Sequence, residues 1–187
     1  MSSHLPLVIF PGIHSPEFTR EFLAALQPFL TSPEISKEVH IFPTEEYPAY
    51  SPVSILGFLG DRITTFTTPV LAIAFSAGVV GAVPALNLWQ LGGGRVQGLV
   101  AIDGWGVPAV GNFPIYRLSH DYFTHWSSAL LGAGVGSFYA DPPVEHLELW
   151  RSPPTCPGWE VFTSDSQRIP TNALEFIIKI ILLADSQ

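Results

Sequence analysis

The residues best placed for chemistry are Ala74-Phe75-Ser76-Ala77-Gly78, because Ser76 stands where an apolar run ends and a small-residue segment begins. Val70 to Phe75 (VLAIAF) reads as a buried strand, and Ala77 to about Trp89 reads as a helix joined to it with no intervening loop. A serine at such a sharp strand-to-helix turn sits in strained backbone with its hydroxyl projecting outward. Side chains larger than Ala or Gly two places before or after it would collide with neighbouring backbone. A serine hydroxyl is a weak nucleophile, so this arrangement requires a histidine base and a carboxylate to orient that base. The simpler reading of Ser76 is an N-cap for the following helix.

Six histidines are available. His4 lies at the N-terminus and His40 inside an apolar run, and neither is assigned a role. His14 belongs to the turn Pro11-Gly12-Ile13-His14, where it would line a pocket. His120, His125 and His146 follow Ser76 in the chain. His120 and His125, with Asp121 between them, raise the alternative of a metal site, but i,i+5 spacing does not place both on one helical face and no second cluster completes it. No metal and no cofactor are expected.

The elements that position these residues alternate between strand-like and helix-like. Six short apolar runs read as strands: Leu5 to Phe10, Val39 to Phe42, Val70 to Phe75, Val96 to Ile102, Ile115 to Leu118 and Ser137 to Ala140. Ser15-Pro16 and Ser51-Pro52 open helices, and Gly92 to Gly94 close the one after Ser76. That triple glycine follows a helix instead of preceding one, which is the wrong order for a phosphate loop. A nearly apolar helix spans Thr171 to Ala184, with Glu175 and Lys179 spaced as an i,i+4 pair. Arg151 to Pro170, rich in proline and holding the lone Cys156, reads as an irregular connection. The alternation predicts an α/β fold, a three-layer α/β/α sandwich with a mainly parallel sheet of about six strands, in one domain over residues 1–187.

With these parts in this order, the chain resembles the α/β-hydrolase family in the compact form of small serine esterases, lipases and thioesterases. The elbow Ala74-x-Ser76-x-Gly78, with Ala in place of the first glycine, and the glycine turn after the first strand carry the resemblance. It implies Ser76 as nucleophile, with acid and base following in that order. His146, on the loop after the sixth strand, fits the base, with His120 the alternative. A carboxylate after either of two neighbouring strands fits the acid: Asp121 is preferred, Asp103 is the alternative, and Asp141 reads as a turn residue. The resemblance also implies an oxyanion hole from the backbone amides of Ala77 and Ile13. Tyr122 to Gly136 has the length and aromatic content of a small cap. Phe123 and Trp126 there, with Trp105 and His14, are the substrate-binding candidates, and an apolar acyl group would suit them.

The implied activity is hydrolysis of a small-molecule carboxylic ester or thioester through an acyl-enzyme. The alternative is a non-catalytic member of the fold that binds a partner or small apolar ligand in the same cleft. Composition narrows the field. The 187 residues carry 8 Lys and Arg against 16 Asp and Glu, a formal charge of −8, which leaves no basic stripe for nucleic acid. One cysteine excludes a disulfide scaffold and paired C-x-x-C zinc sites. No apolar run is long enough to span a bilayer, and Met1 to Leu7 lacks a basic start, so a soluble, cytoplasmic protein is expected. A 47% hydrophobic content with 13% charged residues is accounted for mostly by buried strands and the last helix. The remaining aromatics suit an acyl pocket or a face between two copies in a homodimer.

Overall fold

The computed structural model describes residues 5–31, 38–162 and 167–186, so His4 lies outside the described residues. Continuous apolar runs form the inner strands because both of their faces are covered. Every residue of β1 (Leu7–Phe10) is buried, as are all but the first of β3 (Pro69–Phe75). With β2 (Val39–Ile41), β4 (Arg95–Ile102), β5 (Ile115–Ser119) and β6 (Gly136–Ala140), they make a six-strand parallel array in the order β2-β1-β3-β4-β5-β6. Two further strands, β7 (Pro157–Phe162) and β8 (Arg168–Asn172), continue the sheet antiparallel.

The sheet is therefore eight-stranded and mixed, mostly parallel, where about six strands were expected. The missing pair lies in the segment expected to be irregular. Pro157 and Pro170 obscured it, yet both are tolerated: Pro157 begins its strand, and Pro170 lies on the edge strand, where a missing N–H costs no ladder bond on the open side.

The two faces of the sheet carry separate cores, as a period of two requires. Leu7, Ile9, Leu71, Ile73, Val100 and Ile102 face α1 (Pro16–Leu30), α5 (His146–Arg151) and α6 (Ala173–Asp185). Val8, Phe10, Val70, Ala72, Ala74, Leu99 and Ala101 face α2 (Pro52–Arg62) and α3 (Ala77–Leu91). The serine caps operate as the sequence implies: Ser15 accepts from Glu17 N and Ser51 from Ser54 N. Gly93, at φ 96°, turns the chain out of α3.

Within Tyr122 to Gly136, α4 (Tyr122–Ala129) packs against β5 and β6. Those strands are parallel neighbours, and a parallel pair demands a crossover between its members. In α6, Lys179 reaches Glu160 Oε1 on β7 at 2.8 Å, while Glu175 accepts from Thr171 Oγ1 at 2.9 Å. Helical spacing did not reveal the Glu160 partner. Among the described residues no helix is long and apolar enough to cross a membrane.

Candidate functional site

The strand order reverses between β1 and β3: from β1 the chain goes first to β2 on one side, then to β3 on the other. Loops leaving the carboxyl ends of strands at such a switch point diverge and open a crevice. The two loops here are the Gly12 turn and the Ser76 elbow. A Cβ on Gly12 would come within 3.1 Å of Ser76 Cβ and 3.0 Å of the Phe75 carbonyl oxygen, so the two loops are in contact.

Ser76 has φ 52° and ψ −119°, a conformation that costs a residue with a side chain roughly 1–3 kcal/mol. The Ser76 N–H donates to the Ile102 carbonyl at 2.9 Å, which anchors the turn to β4. The small residue at 78 is needed for approach: a Cβ there would lie 2.2 Å from the Phe10 carbonyl oxygen and 2.7 Å from that of Pro11. Ser76 does not cap α3 through its side chain. Its Oγ lies instead 3.0 Å from His146 Nε2.

His146 begins α5, and its ring stacks on Phe75 at 4.7 Å between centroids. Phe75 stacks in turn on Trp150 at 5.0 Å, and Trp150 on Phe22 at 3.8 Å, so an aromatic column supports the imidazole from below. The other ring nitrogen, Nδ1, lies 2.8 Å from Asp103 Oδ2.

Asp103, the alternative acid, is the carboxylate in contact with this histidine, whereas the preferred Asp121 contacts Thr124 and His120. The reason is backbone conformation. Asp103 adopts φ 50° directly after β4, its N–H donates to the Leu118 carbonyl at 2.8 Å, and its side chain is 1% exposed. Asp121 is the N-cap of α4, its Oδ1 accepting from Thr124 N at 2.6 Å. Asp141 Oδ2 accepts from Trp159 Nε1 at 2.9 Å, in keeping with a turn role.

Asp103 carries three donors: His146 Nδ1, His120 Nδ1 at 2.9 Å to the same Oδ2, and His120 N at 2.9 Å to Oδ1. Burial pushes the Asp103 carboxyl up, but hydrogen bonds from His120 and His146, with their charges, hold it below the usual carboxylate range. An ionised carboxylate only accepts, so both Nδ1 atoms carry protons. With its Nδ1 proton directed at Asp103, the His146 ring turns Nε2 toward the Ser76 hydroxyl.

Asp103, His120 and His146 also place three potential ligand atoms within 4.8 Å of one another. A tetrahedral zinc shell with bonds near 2.0–2.1 Å spaces its ligands about 3.3 Å apart. The 2.8 and 2.9 Å separations from Oδ2 are tighter than that and have hydrogen-bond length.

Ala77 is the first residue of α3, where a helix N–H has no intrahelical acceptor, and Ile13 lies in the Gly12 turn and is 73% exposed. His14 donates from Nδ1 to the Ser15 carbonyl at 2.9 Å; burial foremost, then the proximity of His146, lowers its pKa against that bond. A cavity of about 260 Å³ is lined by Gly12, Ile13, His14, Glu45, Ala49 and Tyr50. Its far wall is the loop after β2, over Thr44 to Tyr50, which carries no motif of its own. Trp105, Phe123 and Trp126 do not line this cavity and are exposed. Trp105 Nε1 donates to Ser127 Oγ at 3.0 Å, pinning the Asp103 loop to α4. His125 lies apart, packed on Tyr139 at 5.0 Å and bordering a separate cavity with Arg117. Buried Cys156 has its thiol pushed up to about 11, chiefly by burial.

No family model matches the chain, and no curated protein matches it.

Proposed function

We propose that the chain is a serine hydrolase with a three-layer α/β-hydrolase-like fold, cleaving a carboxylic ester or thioester through an acyl-enzyme. The observation that carries the reading is the unbroken chain from Ser76 Oγ to His146 Nε2 at 3.0 Å and from His146 Nδ1 to Asp103 at 2.8 Å. A serine in strained elbow backbone supports it further.

In this reading Ser76 Oγ attacks the substrate carbonyl carbon while its proton passes to His146 Nε2. The resulting imidazolium is stabilised by ionised Asp103, which also fixes the tautomer. The carbonyl oxygen becomes an oxyanion, held by the N–H groups of Ala77 and Ile13. Each such donor is worth roughly 2.7–4 kcal/mol, and the N-terminus of α3 adds its positive end. Collapse of the tetrahedral intermediate breaks the bond to the alkoxide or thiolate, which leaves with the proton from His146. Water, deprotonated by His146, then attacks the acyl-Ser76 carbonyl; the acid leaves and Ser76 regains its proton. Asp103 takes the acid role in place of Asp121, and the cavity beside Gly12 receives part of the substrate.

Steady-state hydrolysis of p-nitrophenyl acetate, p-nitrophenyl butyrate and a short acyl thioester tests this. Turnover by the wild type, abolished in Ser76→Ala, is expected. Turnover that survives the substitution refutes the reading.

A further inference from the structure

We propose that His120 is a positioning residue of the same site, holding the acid carboxylate and the loop of the base together so that two imidazoles share Asp103. The inference rests on the serine-hydrolase reading and adds a fourth member to its machinery.

The parallel register of β4 and β5 pairs Ile102 with Leu118, so Asp103 and His120 leave adjacent strands at nearly the same level. His120 then engages Asp103 twice, through its backbone N–H to Oδ1 and its ring Nδ1 to Oδ2, each at 2.9 Å. These two bonds fix the rotation of the carboxylate about its last torsion. With only the His146 bond, that torsion would be set by one contact at the edge of solvent. The third attachment is on the other side of the site: the His120 carbonyl accepts from Val144 N at 3.0 Å, two residues before His146. One residue therefore orients the acid with its side chain and tethers the base with its backbone.

Among the described residues the hydrogen bonds of His120 run to Asp103 and Val144, and none links it to Ser76. Its ring meets that of His146 edge-on, with centroids 5.9 Å apart. Its second nitrogen, Nε2, pairs with Asp121, 3.6 Å from Oδ2. The ring's connection to the reacting groups runs through Asp103, which makes it a positioning group and not a second base. The backbone bonds survive a side-chain substitution, so replacing the ring removes the Oδ2 contact together with the longer approach to Asp121.

The test combines proton NMR with kinetics on the full chain. Wild type and Ser76→Ala are each expected to show two low-field ring N–H resonances, from His120 and His146 on one carboxylate oxygen. His120→Leu is expected to lose one and shift the other, and to lower kcat about 10- to 100-fold with KM nearly unchanged, the penalty of a misplaced catalytic group. His120→Asn, which restores a donor near the Nδ1 position, is expected to recover most of kcat. A single low-field resonance in the wild type overturns the proposal, as does wild-type kcat in His120→Leu or equal losses in the Leu and Asn variants. Should His120→Leu not fold, the wild-type spectrum and the Asn variant still decide it. Turnover that persists in Ser76→Ala refutes the hydrolase reading alone, because the two resonances report the shared carboxylate regardless of activity.

Discussion

Asp103→Asn separates the two carboxylates that the sequence leaves in contention. An amide at this position has one acceptor and one NH₂ group, whereas three N–H donors converge on the carboxylate. If the amide oxygen keeps the His120 backbone bond, its NH₂ faces both ring nitrogens and drives His146 to carry its proton on Nε2, where it cannot accept from Ser76. If the amide flips, NH₂ opposes the His120 N–H. Either orientation removes the charge that stabilises the imidazolium. Loss of that charge and tautomer in a serine protease costs about 10⁴ in kcat, which is about 5 kcal/mol of barrier, and a loss of roughly 10³- to 10⁴-fold is expected here. Asp121→Asn changes a helix cap for an equally good one, so stability should move by only about 0.5 kcal/mol and kcat by less than about twofold. The assay is p-nitrophenyl ester turnover with circular dichroism melts to confirm folding. Full activity in a folded Asp103→Asn protein, or collapse of activity in Asp121→Asn, would refute the reasoning.

Gly78→Ala sets a Cβ against the Phe10 carbonyl and should destabilise by about 1–3 kcal/mol, whereas Gly57→Ala, with open space in α2, should stabilise by about 1 kcal/mol; thermal melts read both. Cys156, with its thiol near 11 and its side chain buried, should resist a colorimetric disulfide reagent until the protein is unfolded. His120 is raised above its ordinary value, first by its hydrogen bond to Asp103 against burial, then by the charges of Asp103, Asp121 and Glu145. A raised folded-state value stabilises at pH below about 6.5 and is lost as pH climbs through the folded value. The Tm gap between wild type and His120→Asn should therefore narrow as pH rises from 6 to 9, and a gap that widens contradicts this account.

The elbow was legible because close packing leaves a chemical trace: only small residues fit where Gly78 meets the Phe10 carbonyl. Chain order singled out His146, the histidine that follows the sixth strand, and it is the one whose ring reaches Ser76 Oγ. The choice of carboxylate was not legible, because Asp103 and Asp121 both end a strand and the decision lies in a dihedral angle. Asp103, at positive φ, aims one carboxylate into the site, and α4 claims the other as its cap. The sequence carries a signal for that helix: two parallel strands cannot be neighbours without a crossover, and Asp121 to Thr124 has the spacing of a capped start. The antiparallel pair β7 and β8 hid behind Pro157, Gly158 and Pro170, residues that discourage a strand reading yet sit at a strand start, a close backbone approach and an edge. The double use of Asp103 by two histidines depends on register between β4 and β5, and nothing in the spacing of His120 and His146 encodes it.

The most direct test of the central claim is covalent capture of the nucleophile. A fluorophosphonate incubated with the native protein, followed by intact mass and peptide mapping, should give one adduct, on Ser76, absent in Ser76→Ala and formed far more slowly in His146→Ala. An unlabelled wild-type protein, or an adduct on any other residue, would contradict the account.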